Sequence, residues 1–365
     1  MKRILVIITL VSGLSLGGSW AHAEEGAAAF LGKTNLTGML ATSYNYNFNN
    51  PNPAAGNDNL MRVFDVDHND FSINQAKVQF ENAPNDWSKF VLDLTVGEDA
   101  AVFTSAGFGA DEFDIWEAYG ELTAPVGNGM TFTIGKFATL MGAEVIESTA
   151  NYNTSRSLLF GFAIPFNHTG FHIAYPFSDK FTGMIGVVNG WDNVMDNNKA
   201  KSIHGRLAYT YNDAWSFILQ GIAGPEQAGS DGNWRTLIDA IVSWTPTEET
   251  AVILNYDLGK EEGVAGAGFA NWQGAALVLH HTLNDWFGVS LRGEFFDDDG
   301  SRNNAGVANT VFAEGTLTSH FYLTDGWETR LEFRHDYASN AAFVRNNGAT
   351  RSFQDTVSAE LLYRF

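Results

Sequence analysis

Charged side chains in this 365-residue chain recur at every second position of several short segments. Lys77, Gln79 and Glu81 alternate with Val78 and Phe80, and Lys89 and Asp93 alternate with Phe90, Leu92 and Leu94. Ser290, Arg292 and Glu294 oppose Val289, Leu291 and Phe295, while Glu328, Arg330, Glu332 and Arg334 oppose Leu331 and Phe333. Period-two spacing puts each set on one face of an extended strand. Facing lipid at mid-bilayer, a Lys or Arg would cost about 2–4 kcal/mol, so these faces must line water. Their chemistry is that of a wet wall, which pairs charges and attracts or repels ions. Other chemistries have weaker claims. Asp65-Val-Asp67-His-Asn69-Asp70 briefly matches a calcium loop, but its glycine position holds Asp70 and its terminal glutamate position holds Ala76. The histidines show no HExxH spacing, and no GxSxG, P-loop or dinucleotide fingerprint occurs. A barrel phospholipase would need a serine, a histidine and an orienting partner converging on a lipid-facing wall; His280 or His320 could serve, but the spacing singles out neither.

The elements that must carry these faces are strands of about 10 residues joined by turns. Tight turns are signalled at 83–86, 124–129, 176–179, 212–213, 245–247, 284–285 and 324–326, each with the Pro, Gly, Asn or Asp that a turn requires. Longer polar connections fall between them, at roughly 49–68, 97–111, 138–165, 190–199, 224–232, 259–268, 297–307 and 337–351. Seven short and eight long connections, alternating, imply sixteen antiparallel strands and a transmembrane β-barrel, with short turns at the periplasmic rim and long loops at the outer rim. Trp87, Trp215, Trp286 and Trp327 closely follow tight turns, and Trp244 and Tyr175 sit beside two more, the pattern of an interfacial aromatic girdle.

Both ends of the chain agree with an outer-membrane address. Val357, Ala359, Leu361, Tyr363 and Phe365 share one face of a closing strand, against Ser358, Glu360, Arg364 and the apolar exception Leu362. Tyr363 and Phe365 are the expected assembly signal, read by the barrel-assembly machinery. At the other end, Lys2 and Arg3, an apolar run from Ile4 to Leu16 and Ala21-His-Ala23 predict a signal peptide over residues 1–23, leaving one barrel domain over 24–365. No later run approaches the ~18 apolar residues of a spanning helix. Cysteine is absent, so an exported chain must rely on strand pairing rather than disulfides. A net charge of −21 argues against nucleic acid or other polyanionic partners.

Sixteen strands enclose a barrel wide enough for an aqueous channel. The connection 138–165 is too apolar to lie in solvent: Met141, Val145, Leu158, Leu159 and Phe160 accompany Glu144, Glu147 and Arg156. Folded inward, it would constrict the lumen through those three charges, opposed by Arg292, Arg330 and Arg334. The other expected lumen-lining residues are Lys77, Lys89, Asp93, Glu117, Glu121, Arg206 and Glu294, many paired across neighbouring strands. Outer-loop acids at Asp58, Asp65, Asp67, Glu98, Asp99, Asp111, Glu261, Glu262, Asp297, Asp298 and Asp299 would favour cations modestly or bind divalent ions between lipopolysaccharide phosphates.

The runs Ile134-Gly-Lys-Phe-Ala-Thr-Leu-Met-Gly-Ala-Glu-Val-Ile146, Tyr152-Asn-Thr-Ser-Arg-Ser-Leu-Leu-Phe-Gly-Phe-Ala-Ile-Pro-Phe166, His168-Thr-Gly170 and Gly186-Val-Val-Asn-Gly-Trp-Asp-Asn193 resemble the OmpL-like beta-barrel porin family ("porin 2"). The resemblance spans nearly all of the chain after the signal segment and is densest from Phe132 to Asn193. It implies a Gram-negative outer-membrane channel, offers no catalytic residues to carry over and names no substrate; no cofactor is expected. The expected partners are outer-membrane lipid and lipopolysaccharide, small hydrophilic solutes and, in a homotrimer, further copies of the chain. The competing expectation is a plugged barrel acting as a surface adhesin or structural anchor.

Overall fold

The computed structural model describes residues 32–52, 59–104, 112–264, 268–300 and 302–365. The signal segment expected over 1–23 and the loop acids Asp58 and Asp111 lie outside the described residues. Strands β1 to β5 run Thr34–Asn47, Asp70–Asn85, Ser88–Val96, Phe113–Ala124 and Met130–Ala138. Strands β6 to β10 follow at Asn167–Ser178, Phe181–Val188, Ser202–Asn212, Trp215–Pro225 and Trp234–Thr247. Strands β11 to β15 are Thr250–Glu262, Phe269–Asn284, Phe287–Asp298, Thr310–Thr324 and Trp327–Ala338, and the closing strand β18 is Phe353–Arg364. Neighbours pair antiparallel in chain order, and β1 closes on β18 with Met39 opposite Arg364 and Asn47 opposite Thr356. The result is the closed sixteen-stranded barrel that the alternating connections imply. A small hairpin, β16 (Phe343–Val344) with β17 (Thr350–Arg351), decorates the last long loop.

Local chemistry explains the turns. Asn85, Asn212 and Asn284 each accept a hydrogen bond on the side-chain oxygen from the backbone N–H two residues on, at 3.1, 3.0 and 3.1 Å. This Asx geometry bends the chain, and a tryptophan two or three residues after the asparagine sits where the next strand begins. Trp215 stacks on Trp244 with centroids 5.5 Å apart, and Trp327 stacks on Tyr363 at 4.6 Å. Trp87 and Trp286 remain exposed at the same rim.

The two faces separate as the spacing requires. On β15, Leu331 and Phe333 are 50% and 45% exposed on the outer wall, whereas Arg330 and Arg334 are 2% and 1% exposed on the inner one. On β18, Leu361 faces outward while Glu360 and Leu362 are buried. Leu362, the apolar exception, packs with Met39 and Ala41 inside the barrel. Phe365 lies outside, its backbone paired with Gly38 in both directions at 3.0 and 3.1 Å. A Cβ on Gly38 would sit 2.6 Å from the Phe365 ring, so only glycine lets the terminal ring lie against β1.

The interior holds more than water-facing charge. Met61 and Phe64 from the first long loop, Ala100 and Phe103 from the short helix α1 (Glu98–Phe103) and Ala342–Phe343 from the last loop join one buried apolar cluster. Met141, Ile146 and residues of the segment from Leu158 to Ile164 join it, together with wall residues such as Trp116, Trp272, Phe296 and Phe312. Apolar loops that would otherwise face water bury their area on each other inside the barrel's long-loop half.

Candidate functional site

The connection between β5 and β6, residues 139–166, crosses the lumen and docks on the far wall. Its path can be followed by its hydrogen bonds. Ala143 N–H donates to Asn255 on β11 (2.9 Å), Asn153 to Thr318 on β14 (2.7 Å), and Thr154 and Ser155 N–H to Glu332 on β15 (2.8 and 3.0 Å). The Thr154 hydroxyl reaches Glu360 on β18 (3.0 Å), Leu158 N–H reaches Glu294 on β13 (2.5 Å), and Trp272 on β12 donates to the Ala163 carbonyl (3.0 Å). Strand carboxylates thus satisfy loop amides that burial would leave unpaired. The sequence expectation of an inward fold over 138–165 agrees with this path.

The three loop charges divide. Glu144 accepts from Arg292 (2.8 Å) and from Ser157 N–H (2.7 Å). Glu147 pairs with Lys77 on β2 and accepts from Trp116 Nε1 on β4 (3.2 Å). Trp116 can reach it because β4 carries a bulge there, the register passing from Glu117 to Ile115. Burial would raise the Glu147 carboxyl, but the Lys77 ammonium together with the hydrogen bonds it receives holds it below the usual range. Arg156 departs from expectation. Instead of facing an opening, its guanidinium is buried and donates to the carbonyls of Val145 (3.0 Å), Ile146 (2.7 Å) and Thr154 (3.0 Å). It closes the loop on itself, because a five-donor fork finds the most acceptors among the loop's own carbonyls.

The wall residues also divide. Arg292 is fully covered, donating to Glu314 (2.7 Å), Glu144 (2.8 Å) and the Ser155 carbonyl (2.6 Å). Arg334 binds Asp336 (2.7 Å) and the Arg156 carbonyl (2.6 Å), and Arg330 binds Glu328 (2.6 Å) and the Ser148 carbonyl (3.1 Å). These arginines sit on the inner wall and meet the loop rather than water. With Glu294 they form its dock, and removing one partner of such a buried pair costs about 3–5 kcal/mol. Lys77 bridges Asp93 (2.6 Å) and the loop, and Glu117 accepts from Ala138 N–H (2.9 Å) where the loop begins. Solvent reaches a different arc. Lys89 and Glu121 pair at 3.3 Å with side chains 29% and 27% exposed, and Arg206 on β8 is half-buried.

Two features of the sequence resolve here. In the calcium-like segment, Asp65 pairs with Arg62, which also pairs with Asp336 (2.7 Å). His320, named earlier beside an unspecified serine, does meet one: Ser290 Oγ lies 2.7 Å from His320 Nε2, and His320 Nδ1 lies 2.7 Å from Glu328. The row is on the inner wall and buried. His280 also bonds Ser290 (2.9 Å), and its ring is covered by Tyr152 at 4.4 Å. A lipid-facing hydrolase needs the opposite placement. Sequence reading missed the trio of buried His168 and His204 with half-buried His172; the shared parity of His168 and His172 was the one available sign.

Solved structures of similar fold are outer-membrane proteins. The anion-selective porin from Comamonas acidovorans aligns with a TM-score of 0.61 at 13% identity, over 91% of this chain and 99% of that one. The trimer form of OmpT, an outer-membrane protein of Vibrio cholerae, gives 0.59 at 11% identity over 91% and 99%. The outer-membrane channel DcaP of Acinetobacter baumannii gives 0.58 at 12% identity over 91% and 97%. No curated protein sequence matches the chain. Residues 33–365, nearly the whole barrel, match one family model, and the chain belongs to that family, described as "Putative beta-barrel porin-2, OmpL-like".

Proposed function

We propose that this chain is an outer-membrane porin whose lumen passes small hydrophilic solutes or ions by passive diffusion, with a weak preference for cations. The observation that carries this reading is the solvent-accessible arc of Lys89, Glu121 and Arg206 beside an inserted loop docked on the opposite wall. A charged wall left wet within a closed barrel is what a diffusion path needs. In this reading Glu144 and Glu147 set the loop's position at the constriction, and Arg156 keeps the loop's shape. Residues 1–23 direct export, Tyr363 and Phe365 are read by the barrel-assembly machinery, and the barrel sits among lipid and lipopolysaccharide, with copies associating as a homotrimer. Purified folded protein in a planar bilayer is expected to give stepwise conductance; absence of steps would sink the reading.

One observation favours a second reading. The apolar cluster that includes Met61, Phe64, Phe103, Phe160 and Phe343 is buried inside the long-loop half. A barrel closed by it would serve as a surface adhesin or anchor, and would show surface binding with no conductance.

A further inference from the structure

We propose that His172 and His204 form a binding site for a borderline divalent transition-metal cation such as Zn2+ on the lumen wall. The register sets them face to face. His172 on β6 lies opposite Gly186 on β7, and Gly186 lies opposite His204 on β8, so the residue between the two imidazoles has no side chain. A Cβ on Gly186 would collide with His204 Nε2 and with His172 Cβ. The rings meet in the space so left, with centroids 5.7 Å apart. Two imidazoles sharing one zinc ion, at Zn–N distances of about 2.0–2.1 Å, place their centroids roughly 5–6 Å apart.

The ring nitrogens supply the second observation. His204 is 1% exposed, and neither of its nitrogens has a hydrogen-bond partner; His172 Nδ1 has none either. A neutral imidazole carries one donor and one acceptor, so His204 leaves both unused in a barrel where other buried polar groups are mostly matched. His168 shows the contrast. Its ring is 5.5 Å from that of His204, but its nitrogens are taken up by the Gly190 carbonyl (3.0 Å) and the Thr139 hydroxyl (3.1 Å). Phe137 packs on both free rings, at 4.8 Å from His172 and 6.1 Å from His204, and fixes their orientation. His172 is half-buried and His204 buried, on the same inner face of their strands. With two protein ligands the remaining positions fall to water or a passing solute, which makes the site labile and suited to an ion in transit. The site presumes the aqueous lumen proposed above, but its readout is binding by folded protein, which can fail independently of conductance.

The test uses the barrel folded in detergent, with folding checked by heat-modifiable gel mobility. Calorimetric titration with ZnCl2 is expected to show one saturable site, weakened at least tenfold in His172→Gln and in His204→Gln and unchanged in His281→Gln. Electron paramagnetic resonance of added Cu2+ is expected to report two imidazole nitrogens in the parent and one in each variant. Should His204→Gln not fold, the half-exposed His172→Gln carries the comparison. No saturable zinc binding, or binding equal in parent and His172→Gln, would mean that water alone fills the gap and would overturn the proposal.

Discussion

Asp99 is the side chain whose burial has the clearest consequence in solution. It sits in α1, 2% exposed, and its Oδ1 has no hydrogen-bond partner. Burial pushes its carboxyl up to about 8; Arg156 opposes the rise, while Glu360 and Glu98 reinforce it. A folded-state pKa above the unfolded value of 3.8 means that the folded chain holds a proton the unfolded chain has lost. The stability this proton represents is complete below the unfolded value and is lost as pH rises through about 8. Within that window the loss is at most about 1.4 kcal/mol per pH unit. Asp99→Asn is therefore expected to unfold at the same temperature as the parent near pH 4 and at a higher one at pH 9. Paired thermal melts across that range check it; parallel curves for the two proteins would show that Asp99 stays ionised in the fold.

The inserted loop behaves as an element because both of its halves are tied to the barrel wall. Residues 143–149 hold β11, β2, β13 and β15 through Asn255, Lys77, Arg292 and Arg330, and residues 153–158 hold β13 to β15 and β18 through Glu294, Thr318, Glu332 and Glu360. Deleting Gly142–Tyr152 removes the first set and the Tyr152 cover over His280. Single-channel conductance is expected to roughly double or more, since current follows open cross-section; an unchanged step size would place the narrowest point elsewhere. The strand framework that holds this loop was readable because period-two spacing and Asn-x-Trp turns are local signals. The inward fold was readable too, since Leu158, Leu159 and Phe160 could not stay in water. Arg156 was misjudged for a physical reason: a charge in a loop has no period to say whether it meets solvent or the loop's own carbonyls. The histidine pair was hidden likewise, because only strand register brings residues 172, 186 and 204 together.

Across the whole molecule, several of the described acids are paired or buried. A net charge of −21 overstates the attraction for cations. Among the outer-loop acids, Asp65 is neutralised by Arg62 and Glu261 by Arg235 (2.9 Å), while Asp298 is fully buried and accepts from Asn303 (2.6 Å). Glu262 keeps a surface partner in Lys260 at 3.7 Å, a separation that solvent screens. Along the wet arc, Lys89 and Arg206 offset Glu121. In the proposed function, exposed acid at the loop rim supplies the cation preference, and it acts over a distance that salt controls. The screening length falls from about 10 Å at 0.1 M to about 3 Å at 1 M, shorter than the radius of a wide lumen. Reversal potentials in KCl gradients are therefore expected to show a modest cation preference near 0.1 M that disappears near 1 M. A preference that persisted at high salt would point to charges at the constriction itself, beginning with Glu144 and Glu147. A clear anion preference at low salt would transfer control to Lys89 and Arg206, and Lys89→Gln would then be the variant that abolishes it.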